Sequence, residues 1–432
     1  MRRLIFRSVL VLCWLGAVSS LSAQIEFHGN VYPLVRLTFE QHYLSLPHRF
    51  VALEGYSRGQ SVGLFFSTAL EHRLSSNEAV LELREAYVEF SAGPGDFRLG
   101  KQIIAWGTAD GNNPTDNVNP YDFYYLFLPG TDRKVGNVMA VARLYLGMAN
   151  LEVAVTPVFQ PNRIPVNEPD FPIFGDVPFT MDLTKANYPD RGLENTEVGV
   201  RVLLPLRMMD VSLSYFRGFD RMFTPVFNEL FPGTGIPDQT SLKSLEYYPT
   251  QVIGGELVTF LGDWAIRAEG AYFLTEDKDG DHPGIRNPYL QYVLQLDRMA
   301  DNSNLVVQLL GDYVTKLDGD DIIYPTVVIT EEENEHDNIP PKLGMPFGAI
   351  ARNSVLATAS RDFADGRYSL QGQALYDLDH QGYMMGGSLT VMLEDAFDLE
   401  LGLTYLGGDE DSRLSTIGEV FSHFYVGMKY SF

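Results

Sequence analysis

The stretch "SHFYVGMKYSF" (422–432) ends the chain and decides its fold. Phe424, Val426, Met428, Tyr430 and Phe432 alternate with His423, Tyr425, Gly427, Lys429 and Ser431. A period of two is a β-strand with one apolar face and one polar or small face. In a soluble sandwich the apolar face is core. In a transmembrane barrel it meets lipid, and the polar face lines a lumen.

The other end supplies the compartment. "MRRLIFRSVLVLCWLGAVSSLSAQ" (1–24) sets Arg2, Arg3 and Arg7 ahead of an apolar run too short to span a bilayer, and small residues follow. Residues 1–23 are therefore expected to be a signal peptide, with the mature chain starting at 24. Cys13, the single cysteine, leaves with it, so no disulfide, thiol nucleophile or thiolate ligand is available. Losing three arginines against 56 acidic residues takes the net charge from −24 to about −27, which excludes nucleic acid as a partner. A chain stopping on an aromatic-tipped strand behind an export signal resembles the terminal pattern of bacterial outer-membrane barrels. That resemblance implies engagement of the barrel-assembly machinery through the Phe432 strand, and a wall in contact with outer-membrane lipid and lipopolysaccharide.

The same alternation recurs inward. Leu399, Leu401, Leu403 and Tyr405 oppose Asp398, Glu400, Gly402 and Thr404; Val198, Val200 and Val202 oppose Glu197, Gly199 and Arg201. Short links (93–96, 147–150, 261–263, 299–303, 363–366) tend to alternate with long ones (107–136, 161–194, 220–248, 275–286, 317–346, 408–418). One tight-turn rim and one long-loop rim is the asymmetry of an outer-membrane barrel. The expectation is an all-β, single transmembrane antiparallel barrel of about 16 strands, with 18 as the alternative. Seventeen segments alternate, and even numbers are required; 43–58 is where another strand could hide. Pro33 inside the first candidate predicts a break.

Residues 100–123, "GKQIIAWGTADGNNPTDNVNPYDF", read as a wall strand to Trp106 that exits at Gly107 into a long outer loop, 107–136. Together, "LREAYVEF" (83–90), "RLGKQIIAWGTADGNNPTDNVNP" (98–120) and "PVFQPNRIP" (157–165) resemble an uncharacterised porin-like outer-membrane β-barrel family of Gram-negative bacteria. The resemblance implies fold and location and leaves the solute undefined. The loop is dense in residues that turn the backbone and bond it with their own side chains. Asp110, Asn112, Asp116, Asn119 and Asp122 are expected to hold its shape. If the loop folds into the lumen, they and Tyr121, Phe123 and Tyr124 form a constriction; the alternative for the aromatics is a girdle at the membrane boundary. Asp277, Asp279 and Asp281 are spaced like the start of a calcium loop, but the closing glutamate is missing, so calcium is a weak candidate and no other cofactor is indicated.

Inward-facing charges are expected at Glu82, Arg84, Arg98, Arg143, Glu152, Glu197, Arg201, Arg267, Glu269, Asp312, Asp377 and Glu400. The pairs Glu82–Arg84 and Arg267–Glu269 are set two residues apart, and Glu197–Arg201 four, each on one face of its strand. Histidines are scattered and no G-x-S-x-G occurs, so catalysis is not expected. The expected function is a passive channel for small polar or cationic solutes. The alternatives are a transporter of hydrophobic compounds and a non-transporting surface adhesin or scaffold.

Overall fold

The computed structural model describes residues 25–432 except 41, 45, 60, 74–75, 167, 172–181, 228–241, 281–284 and 316–349. The expected signal peptide, Asp281, most of the 170–179 segment and most of the 317–346 loop lie outside the described residues.

Period-two segments do what their pattern dictates and pair with their sequence neighbours. The wall begins with β1 (Ile25–Val31), β2 (Leu34–Thr38), β3 (His48–Arg58), β4 (Val62–Arg73), β5 (Glu78–Ala92) and β6 (Gly95–Gln102). It continues through β7 (Asn137–Leu146), β8 (Ala149–Thr156), β10 (Glu197–Pro205), β11 (Met209–Phe219), β14 (Pro249–Leu261) and β15 (Trp264–Leu274). It ends with β16 (Tyr289–Ala300), β17 (Ser303–Val314), β18 (Ser354–Phe363), β19 (Tyr368–Asp377), β20 (Tyr383–Glu394), β21 (Phe397–Gly407) and β22 (His423–Ser431). Three short strands outside the wall, β9 (Ala186–Asn187), β12 (Thr224–Phe227) and β13 (Leu242–Glu246), form a small sheet among the long loops. Among the described residues one α-helix, α1 (Arg413–Phe421), caps the β21–β22 connection.

Both β1 and β2 pair with β22, through Asn30↔Ser431 and through Leu34↔Gly427 to Thr38↔His423. They are one stave interrupted at Tyr32–Pro33, where proline has no N–H to give the ladder. The sheet of 19 strands is thus a closed antiparallel barrel of 18 staves with no free edge. The count is the alternative of 18 rather than 16, and the added strand, β3, lies within 43–58, where a further strand was expected. Its alternation escapes notice because a bulge at Phe50, between Arg49 and Val51, shifts the facing part-way along the strand. Outward positions carry an apolar band, with exposed aromatics near both ends: Phe363, Tyr368, Phe397 and Tyr430 at the tight-turn rim, Tyr313, Tyr376 and Tyr405 at the long-loop rim. On β22 the outward and inward sets are the two sets of the opening alternation.

Candidate functional site

The wall strand of the motif ends at Gln102, four residues earlier than expected, and the chain then turns inward. Side chains of the loop replace the lost ladder. Asn119 accepts from the Ile104 N–H at 2.8 Å and donates to the carbonyls of Gln102 and Val135, each at 3.0 Å. Trp106, 2% exposed, lies inside the barrel rather than on the wall. Its indole N–H donates to Glu152 on β8 at 2.5 Å, and its ring sits where a side chain on Gly199 of β10 would stand.

Gly107, at φ +102°, takes a left-handed turn that L side chains rarely adopt, and the loop then crosses to the far wall. There Glu269 on β15 accepts hydrogen bonds from the backbone N–H groups of Thr108 and Ala109 (2.5 Å for Ala109), from Asn113 at 2.8 Å and from Thr115 at 3.1 Å. The Asp110 N–H donates to Gln295 on β16, and Asn112 donates to Gln308 on β17 at 3.0 Å. Arg267 holds the Thr108 carbonyl from below. The loop therefore bridges the lumen from β6 to β15–β17 through charged and amide hydrogen bonds.

The returning leg is buried and ion-paired. Asp116 pairs with Lys134 at 2.6 Å, and Lys134 lies 4.5 Å from the Tyr121 ring centre. Burial pushes the Asp116 carboxyl up and the Lys134 amine down, partly offset by their mutual attraction. Asp122 caps a short helical turn through the Tyr124 N–H and pairs with Arg163 at 3.0 Å. Burial raises its carboxyl to about 6, with Arg163 opposing. Arg163 also binds Glu71 of β4, whose other partner is the Tyr125 hydroxyl at 2.7 Å. Tyr121, Phe123 and Leu126 are buried in one cluster with Leu406, Leu414, Ile417 and Phe421, so the aromatic run sits within the barrel mouth under α1 and not on a lipid-facing girdle.

Charges on the wall pair otherwise than along one strand. Residues two apart share a face but stand nearly 7 Å apart, whereas neighbouring strands are about 4.8 Å apart, so partners come from adjacent staves or from loops. Glu82 faces Arg49 and Arg84 faces Asp132 of the loop, the latter at 2.9 Å. Glu197 pairs with Arg221 at 2.9 Å, Arg201 with Glu256, and Arg267 with Asp297 at 2.8 Å. The three expected same-strand pairs are thus replaced. Arg143 pairs with Glu152, Arg98 with Glu89 at 3.2 Å and Asp312 with Arg352 at 2.8 Å. Asp377 accepts from the Asp379 N–H near His380, and Glu400 accepts from Tyr32 and Tyr425. Asp277 caps its own turn by accepting from the Gly280 N–H at 2.9 Å; Asp279 is an exposed turn residue. Among the described residues no group of three His, Cys, Asp or Glu is placed to hold a metal. Gln291, Gln295, Gln308 and Glu256 were absent from the expected set; their polar, alternate placement within period-two strands was the available signal.

Inward positions divide by side and by depth. Gln291 and Gln295 are 0% exposed and Gln308 is 1% exposed, sealed on the side that the loop reaches. Gln371, Gln373, Ser388, Thr390, Asp398 and Thr404, equally inward on β19–β21, remain partly or fully exposed. The loop fills the β15–β17 side of the lumen; on β18–β21 the inward Leu356, Leu375, Met384 and Leu406 near the long-loop rim are buried too, and solvent reaches a polar stretch of lumen below them.

A family model described as "Protein of unknown function (DUF1302)" matches residues 54–409, and the chain belongs to that family. No curated protein matches it. Among solved structures, Pseudomonas aeruginosa OccK2 (OpdF) in complex with glucuronate is similar at 10% identity and TM-score 0.54, covering 95% of this chain and 98% of that one. The outer membrane protein OpdK of the same organism is similar at 9% identity and TM-score 0.53, covering 95% and 99%. At such identity the likeness is one of fold.

Proposed function

From membership in DUF1302 and a closed 18-stave barrel, we propose that this chain is a passive outer-membrane channel for small polar solutes. The observation that carries the reading is a set of inward amides and hydroxyls open to water, Gln371 and Gln373 on β19 and Ser388 and Thr390 on β20, below the buried Leu375 and Met384 of the same strands. An 18-strand wall is too wide for its own side chains to fill, so the lumen holds water wherever a loop does not occupy it. Residues 107–119 then act as a fixed partition that sets the width, and solutes pass by diffusion along the open stretch, with no covalent chemistry.

The solute class follows from the interior and not from net charge. Glu89, Glu152, Glu197, Glu256, Asp297 and Asp312 each face an arginine, whereas Asp409, Glu410 and Asp411 lie exposed in a rim loop. Paired interior charges favour polar solutes over a strong preference for cations. The aromatic run at 121–127 is largely consumed as packing under α1, which weighs against a transporter of hydrophobic compounds. Unitary conductance of the purified, folded protein in planar bilayers tests the proposal. Discrete ohmic steps are expected; a heat-modifiable, folded sample that passes no ion current overturns it.

A further inference from the structure

Most described arginines inside the barrel are matched to acids on facing strands or loops; Arg58 bonds the Tyr56 hydroxyl instead and Arg133 the Leu126 carbonyl, and Arg36 has neither kind of partner. Arg36 lies on β2 opposite Tyr425 of β22, between Leu34↔Gly427 and Thr38↔His423. It is largely buried with part of its surface open, and among the described residues it forms neither an ion pair nor a side-chain hydrogen bond. The groups that act on it electrostatically are Tyr125 of the lumen loop, Tyr32, Tyr425 and Glu400. Glu400 is the nearest candidate acid, yet its two oxygens are taken by phenols, Tyr32 at 2.5 Å and Tyr425 at 3.0 Å. The ring of Tyr32 lies against Gly427, where a Cβ would come within 2.6 Å of it, and that of Tyr425 lies against Gly402. The result is a niche with an aromatic floor and an uncommitted guanidinium at its edge, opening on the solvent-reached stretch of lumen.

We propose that this niche binds the carboxylate of a small ring-bearing organic monoanion on its way through the channel. A guanidinium offers two parallel N–H donors that match a carboxylate, and a tyrosine floor receives an apolar ring face. The neighbouring Glu400 limits the ligand to a single negative charge, because a second would face it at low dielectric. That favours carboxylate over doubly charged phosphate. The inference rests on the channel reading for its route but not for its binding step.

Two measurements on the full-length, detergent-folded protein test it, with benzoate as probe. In planar bilayers benzoate is expected to block the wild-type current in a concentration-dependent way, each protein being scaled to its own current in sodium chloride. Arg36→Gln should raise the half-blocking concentration about tenfold or more, the size of one charge-assisted hydrogen-bond pair, and Arg36→Lys should fall between. Inorganic phosphate should block more weakly than benzoate. Calorimetric titration of benzoate into the same proteins reads the site without conduction. Current through a wild type that Arg36→Gln leaves equally benzoate-sensitive, or stronger block by phosphate, overturns the niche. Absence of current with Arg36-dependent calorimetric binding overturns the channel and keeps the niche.

Discussion

Replacing Glu269 by alanine should undock the lumen loop from the far wall. Its carboxylate gathers the Thr108 and Ala109 N–H groups, the Asn113 amide and the Thr115 hydroxyl, the last three at 2.5, 2.8 and 3.1 Å. Hydrogen bonds to an ionised acceptor contribute about 1.5–3 kcal/mol each, but one carboxylate shared by four donors is not additive. Burying the charge offsets part of the sum. A net loss of about 3 kcal/mol in docking follows, roughly a hundredfold in the docked-to-undocked ratio. Asp110–Gln295 and Asn112–Gln308 remain, so the loop fluctuates without leaving. Single-channel recording should then show larger mean conductance and added open-channel noise for Glu269→Ala. Glu269→Gln, which keeps an acceptor and loses the charge, should lie between. The β14–β15 and β15–β16 ladders are untouched, so heat-modifiable mobility should stay as in wild type. Wild-type conductance and noise in a folded Glu269→Ala protein would refute the latch.

Trp106→Ala removes a buried indole that fills the space over Gly199 and donates to Glu152, a change costing about 3–5 kcal/mol at a packed site. Limited trypsin digestion should then cut after Arg133 or Lys134, which are buried in the wild type; equal protection in both proteins would contradict the assignment of Trp106 to the interior. Asp122 gives a pH dependence. Its folded carboxyl is raised by burial from 3.8 to about 6, so ionisation opposes docking above that value, and the penalty is relieved as pH falls from about 6 toward 4. At about 1.4 kcal/mol per unit, the loop should gain roughly 3 kcal/mol across that window. Amide hydrogen exchange of 121–128, corrected for intrinsic rates, should slow accordingly, and Asp122→Asn should flatten the slope; an unchanged slope in the variant would assign the effect elsewhere.

Much of the barrel was legible because its physics is local. Phe424, Val426, Met428 and Tyr430 alternate in the sequence and all stay exposed on the outside of β22, since lipid selects one face of each strand. Likewise Pro33 announced the break between β1 and β2, as the missing N–H is a property of one residue. Alternation alone stopped at seventeen, because the bulge at Phe50 breaks the period in β3; the requirement for an even number pointed to the eighteenth stave at 43–58. The motif strand was read four residues too long because Ile103 to Trp106 are apolar like wall but are buried against loop and lumen.

By itself, then, the sequence determined the barrel, its two unlike rims and the charge-bearing inward face, because a two-residue period fixes facing without reference to anything distant. Tertiary structure alone decided which charges meet, where the loop goes and which side of the lumen it fills. Glu269 lies more than 150 residues beyond the Ala109 and Asn113 groups it holds, and Gln308 lies 196 residues beyond Asn112. Such contacts depend on closure of the whole ring, which no local pattern encodes. Arg36 shows the same limit: its lack of an acid partner is a fact about Glu400, Tyr32 and Tyr425, brought beside it when the last strand meets the first.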